Sequence, residues 1–207
     1  VKDAFLVASA LGYYEVNLNG SKIGDQVLAP EWTDYNKRVQ YQVFEIGKQL
    51  KKGDNVLSSV LGDGWYLGML GPTKWHQDYP LRGAYGNDRR FLAQLTINYV
   101  DGSTDIIETD GSWKILADAY IPSADNFLGQ KIDASKIPKG WKEIEFDDST
   151  WKNAFVDENL RKNLVAQKNE PIRIYDTLQA QSIKRLDDKF IVDFGQNLTG
   201  WTSLKIK

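Results

Sequence analysis

The chain is predicted to be all-β: a sandwich, followed by strands of a second, incomplete β-domain. Three observations predict this. Apolar and polar residues alternate with a period of two through most of the chain. Asn-Gly and Asp-Gly pairs punctuate the alternating runs. The runs are short and bounded by Gly, Asn and Asp turns, which is the pattern of a sandwich.

In chain order, Ala4-Phe5-Leu6-Val7 is strand-like from the outset, as expected of a fragment of a longer protein. Tyr14, Val16 and Leu18 alternate with Glu15 and Asn17, and Asn19-Gly20 then signals a hairpin. Val39, Tyr41 and Val43 alternate with Gln40 and Gln42, and Val56, Leu57, Val60 and Leu61 read as a buried strand. Phe91, Ala93, Leu95, Ile97 and Tyr99 form an inward row, with Gln94, Thr96 and Asn98 facing out. Asp101-Gly102 turns the chain, and Asp105-Ile106-Ile107-Glu108 returns. Two stretches lack alternation. Gly62 to Asp88 is a long loop region rich in Gly, Trp, Tyr and charge, and loops of that length usually carry function. Ala117 to Trp141 is also irregular, and a short helical turn near residues 147–151 has Asp148 or Ser149 as its cap. The organisation expected is a sandwich over 1–156, a polar linker over 157–170, and the start of a second β-domain over 171–207.

Composition narrows the function. With 42% hydrophobic and 12% aromatic residues, the chain can build a core. A net charge of −2 argues against nucleic acid and against a polybasic membrane anchor. No apolar run approaches the ~20 residues that span a bilayer. There are no cysteines, which removes disulfides, zinc–thiolate sites and cysteine nucleophiles. His76 is the one histidine, read as a loop residue beside Trp75. The 28 acidic residues include no recognisable acid–base pair for glycoside hydrolysis. Asp193-Phe194-Gly195 has no nucleotide-binding motifs around it, so it reads as a strand end turning at Gly195. Asn197-Leu198-Thr199 is a glycosylation sequon only in a eukaryotic secretory setting.

The loops concentrate aromatics and polar groups: Trp32 and Asp34, Asp63 and Trp65, then Trp75, Arg82 and Asn87. Sugars are bound by such sets. A pyranose packs its C–H face on an aromatic ring, and its hydroxyls need carboxylate, amide or guanidinium partners. Asp34, Asn36 and Asn87 also offer the hard oxygen donors that calcium takes, with Asp63 and Asp88 as further candidates, although no EF-hand spacing is present. A structural account competes, in which Asp34 caps its own turn and Asp63 bonds backbone amides in a Gly-flanked turn.

At these residues the sequence resembles the N-terminal β-region of bacterial α-L-rhamnosidases. The matching segments are Ala10-Leu11-Gly12-Tyr13-Tyr14-Glu15 through Leu18-Asn19-Gly20; Trp32 to Gln42; Leu61-Gly62-Asp63-Gly64-Trp65-Tyr66-Leu67-Gly68; Ala93-Gln94-Leu95 to Ser103, with Thr109 to Lys114; and Asp193 to Trp201. They run in order over nearly the whole chain. The resemblance implies a galactose-binding-like jelly roll, exported to the periplasm or the extracellular space of a bacterium. It implies that this region is part of an inverting glycoside hydrolase whose catalytic carboxylates lie in an (α/α)6 barrel absent from this chain. It implies a terminal L-rhamnose glycan as ligand, held in some members through calcium. One departure stands out: where the family carries Asp-Gly-Glu-x-Tyr-Asp-Ala-Arg, this chain has Leu128-Gly129-Gln130-Lys131-Ile132-Asp133-Ala134-Ser135. The reading is a non-catalytic accessory region of such a hydrolase, with two roles left open: a structural spacer that supports the barrel, slightly favoured because a fold does not by itself prove a site, or a module that binds terminal L-rhamnose. The alternative is a free-standing lectin-like or adhesion domain.

Overall fold

Small apolar residues at every second position make the first strand the centre of the molecule. β1 (Asp3–Leu11) turns Ala4, Leu6, Ala8 and Ala10 inward, all buried. The chain continues through β2 (Tyr13–Leu18), β3 (Ser21–Lys22), β4 (Val39–Glu45) and β5 (Leu57–Gly62) to a one-turn helix, α1 (Gly64–Leu67). Then come β6 (Arg90–Asn98), β7 (Thr104–Glu108), β8 (Lys114–Ile115), β9 (Ser123–Asp125), β10 (Gly129–Lys131), β11 (Lys152–Asn153) and β12 (Leu164–Ala166). The last two strands are β13 (Ser182–Leu186) and β14 (Lys189–Asp193). This computed structural model describes residues 1–71, 82–158, 160 and 162–205. Among them, no helix is long and apolar enough to cross a membrane.

Two sheets face each other as the alternation requires. One has the order β12-β4-β1-β6-β7, and the other is β3-β2-β5. β1 and β6 pair antiparallel along nine residues, so Ala4, Leu6 and Ala8 stand beside Ile97, Leu95 and Ala93. Tyr14, Val16 and Leu18 of the second sheet close the core against them. The Asn19-Gly20 turn forms as expected, both residues holding positive φ (51° and 86°).

β4 departs from the simple pattern. Gln40 and Gln42 are buried along with Val39, whereas Val43 is 55% exposed. The reason is a polar bridge inside the sandwich: Tyr14 Oη donates to Gln42 Oε1 at 2.7 Å, and Gln42 Nε2 donates to Gln167 Oε1 at 3.0 Å. Side-chain amides tolerate burial when satisfied in this way.

The domain boundary also differs from expectation. Residues 157–170, read as a linker, contain β12, which pairs parallel with β4 in the main sheet. Ile172, read as part of a fresh domain, donates its N–H to Glu31 Oε1 and accepts from Val27 N. The chain divides instead into Val1–Arg173 and Ile174–Lys207. The second unit carries the β13–β14 hairpin, after which Gly195 N bonds Asp193 Oδ1 in a positive-φ turn. The cap near residue 147 falls to Asp147, whose Oδ1 accepts from Ser149 N, rather than to Asp148 or Ser149.

Candidate functional site

The two aromatic loops meet at one end of the sandwich. Tyr35 is fully buried, and its hydroxyl donates to the Glu31 carbonyl at 2.8 Å. Its ring meets Tyr66 and Tyr85 edge-on, at 5.3 and 5.1 Å between centroids. Above this buried cluster, Trp32 stacks on Trp65 at 5.2 Å with 23° between ring planes. Phe127 approaches Trp65 edge-on at 6.0 Å. Trp32 is 53% exposed and Phe127 49%, so the group forms an aromatic ledge open to solvent.

A buried ionic network carries the ledge. Asp63, immediately before α1, is 2% exposed and uses both carboxylate oxygens. Oδ1 accepts from Arg89 Nε at 2.8 Å. Oδ2 accepts from Arg82 Nη2 at 2.8 Å and from Ala124 N at 3.2 Å. Arg82 reaches on to Asp125 Oδ2 at 2.9 Å, and the other oxygen of Asp125 accepts from the N–H groups of Phe127 and Leu128. One guanidinium thus joins the turn that holds Trp65 to the turn that holds Phe127. Arg82 is set by a bridge to Met69 and by Gly83 N donating to the Leu67 carbonyl. The close fit requires Gly68, since a Cβ there would overlap the Gly64 carbonyl and the Asp125 side chain.

The predicted site residues therefore separate by role. Trp32 and Trp65 come together on the surface. Asp63, expected either as a sugar contact or as an acceptor of backbone amides, is buried with both oxygens engaged by Arg82, Arg89 and Ala124 N. Arg82 is bound to two carboxylates while its side chain stays 43% exposed. Asp34 accepts Asn36 N in its own turn at 3.1 Å and pairs with Lys37 at 3.4 Å. Asn36 and Asn87 are exposed. Trp75 lies outside the described residues, as does His76. Among the described residues, no three His, Cys, Asp or Glu side chains gather as a metal centre. Asp125, Phe127 and Arg89 were missed by sequence reasoning. Asp125 and Phe127 sit in the irregular stretch after Ala117, where no periodicity marks them. Tyr13, whose hydroxyl donates to Asn126 Oδ1 at 2.7 Å, ties that stretch to β2, and burial raises its phenol pKa.

The family model for the α-L-rhamnosidase N-terminal domain matches residues 1–176. The chain belongs to this family. An α-L-rhamnosidase of Streptomyces avermitilis is 38% identical over 208 residues, covering all of this chain and 19% of the relative. One from Alteromonas sp. (strain LOR) is 34% identical, covering all of this chain and 22% of that protein. The solved S. avermitilis enzyme, in complex with L-rhamnose, superposes with a TM-score of 0.85 at 37% identity over 96% of this chain and 19% of its own. The α-L-rhamnosidase of Aspergillus terreus gives a TM-score of 0.84 at 30% identity, over 96% of this chain and 22% of its own. The rhamnosidase N-terminal domain chain thus spans about a fifth of the length of the relatives it matches.

Proposed function

We propose that this chain is a non-catalytic accessory region of an α-L-rhamnosidase, and that its aromatic ledge contacts terminal L-rhamnose. The observation that carries the reading is the solvent-open Trp32–Trp65 stack, held in place by a buried ionic network. A flat, pre-set aromatic surface suits the C–H face of a deoxy sugar, and little entropy is lost on binding because the rings are already fixed. Calcium suits three surface donors in kind: Asp34 offers a carboxylate and Asn36 and Asn87 offer amide oxygens, with Lys37 the competing cation on Asp34. When bound, calcium supplies a Lewis-acidic anchor for vicinal hydroxyls. The relatives' greater length favours this reading over a free-standing lectin-like domain.

The test is calorimetric titration of the purified chain with L-rhamnose, with calcium or with chelator. Binding that Trp65→Ala weakens about tenfold, the size of an aromatic contact, supports the reading. Absence of binding in both buffers overturns it. The same chain is expected to leave an aryl α-L-rhamnoside intact; turnover lost on mutating one of its own carboxylates would refute the non-catalytic assignment.

A further inference from the structure

We propose that a cleft on the flank of the sandwich, separate from the aromatic ledge, binds a neutral oligosaccharide. The proposal shares with the previous one its class of ligand and one residue, Arg89, which lines the cleft and also bonds Asp63 beneath the ledge. The cleft has a volume of about 1090 Å³, and Phe91, Trp113, Trp141 and Trp151 line it, whereas Trp32, Trp65 and Phe127 do not. Volumes of about 300–1,000 Å³ with mainly aromatic and apolar linings are usual for small-molecule sites. A somewhat larger, open cleft suits a chain of several sugars.

The aromatic lining is fixed in place. Trp113 donates its indole N–H to the Glu108 carbonyl at 3.2 Å and tilts against Phe91 at 6.2 Å. Trp151 meets Phe146 edge-on at 5.3 Å, and the Lys142 ammonium stands 5.0 Å over the Trp141 ring. Rings already ordered cost little to engage.

The strand β5 also lines the cleft. β5 is the terminal strand of its sheet. Asn19 N donates to the Val56 carbonyl, which sets the phase of the β2–β5 ladder. In that phase Val56, Ser58 and Val60 point their backbone groups toward β2. The alternate residues Leu57, Ser59 and Leu61 direct theirs the other way, and all three line the cleft. This gives three N–H donors and three carbonyl acceptors in a row, with no strand paired to them among the described residues. Sugar hydroxyls both donate and accept, so they can use both kinds.

Charge decides against an ionic ligand. Among the described residues, four acidic side chains along the cleft are matched by four basic ones. Arg90 pairs with Asp157 at 2.7 Å and lies 3.6 Å from Asp88. A phosphorylated chain or a polyuronate finds no net field there, so a neutral glycan is the ligand this cleft fits.

The experiment follows the indole N–H resonances of the whole chain by NMR while an α-linked L-rhamnose trisaccharide is added. The resonances of Trp113, Trp141 and Trp151 are expected to shift, equally in the unmodified chain and in Trp65→Ala. Trp113→Ala is expected to weaken trisaccharide binding about tenfold while leaving L-rhamnose binding at the ledge unchanged. Trp151→Ala serves as a second variant if the first fails to fold. The proposal is overturned if those indoles do not move, or if Trp65→Ala abolishes their shifts. It is also overturned if an extended peptide, and not the trisaccharide, shifts the Leu57, Ser59 and Leu61 amides, which would make the edge a site of strand addition. Trisaccharide binding in the cleft with no L-rhamnose binding at the ledge overturns the preceding proposal alone.

Discussion

The β1–β6 core and the corner around α1 are held together by different physics. In the core, Leu6, Ala8, Leu95 and Ile97 are excluded from water by their neighbours, and no single contact is indispensable. At the corner, Asp63 and Asp125 are as deeply buried, but they are ionic and depend on two arginines. A core degrades gradually, whereas a buried ionic network fails when one member is lost, because the remaining charges are left without partners.

Two substitutions sharpen this contrast. Asp63→Ala leaves Arg82 with Asp125 alone, takes from Arg89 the carboxylate it pairs with, and frees the Ala124 N–H, so it is expected to cost about 3–5 kcal/mol. Leu6→Ala removes a fully buried side chain from the centre of β1 and is expected to cost about 2–5 kcal/mol. Urea unfolding measures both. The ledge separates them further: Asp63→Ala is expected to change Trp65 fluorescence in the still-folded protein, and Leu6→Ala is not. Equal spectra would remove the claim that the network positions the ledge.

The same contrast explains what could be read from the sequence. The strands were legible because period-two alternation and Asn-Gly or Asp-Gly turns are local signals, as with Ala93, Leu95 and Ile97 on β6. The meeting of the Trp32 and Trp65 loops was legible as a condition, since both precede or follow predicted strands. Asp125 was not legible. Its role exists only because Arg82, 43 residues away, bridges it to Asp63, and no local pattern encodes such convergence. The buried face of β4 was not legible from its alternation for a related reason: Gln42 is admitted to the interior by a hydroxyl on another strand, Tyr14. β12 escaped notice because three residues are too few to show a period.

A weaker effect is expected in alkali, and it comes from the boundary between core and corner. Burial raises the phenol pKa values of Tyr13, Tyr14 and Tyr35 above the ordinary value of 10.0. These groups stay protonated in the fold, while in the unfolded chain they ionise near pH 10. Their contribution to stability is therefore complete below about pH 10 and declines as pH rises above it, because the unfolded state then binds fewer protons. The urea midpoint is expected to fall between pH 9 and 11. Absorbance of ionised tyrosine should appear in two phases, the second coinciding with unfolding. A single early phase covering all ten tyrosines would show that these three are not sealed.

The smallest expected change in stability separates the two accounts of Asp34. Its carboxylate is partly exposed, accepts one backbone N–H from Asn36 and pairs with an exposed lysine. Exposed ion pairs contribute about 0–1 kcal/mol, and a lost turn bond adds about 1 kcal/mol. Asp34→Ala is therefore expected to lower the melting temperature by only a few degrees in chelator. The backbone of the turn persists, since Lys37 N and Arg38 N both donate to the Asp34 carbonyl, which the substitution leaves in place. If Asp34 only shapes its loop, the mutant binds L-rhamnose as the parent does, with or without calcium. If it is a calcium ligand beside the ledge, binding in calcium is lost while the melting temperature in chelator matches the parent to within that small shift. Asp34→Asn refines the result, because an amide keeps the turn bond but surrenders the charge. Intact stability with weakened, calcium-dependent binding in that variant would assign Asp34 to the ion rather than to the turn.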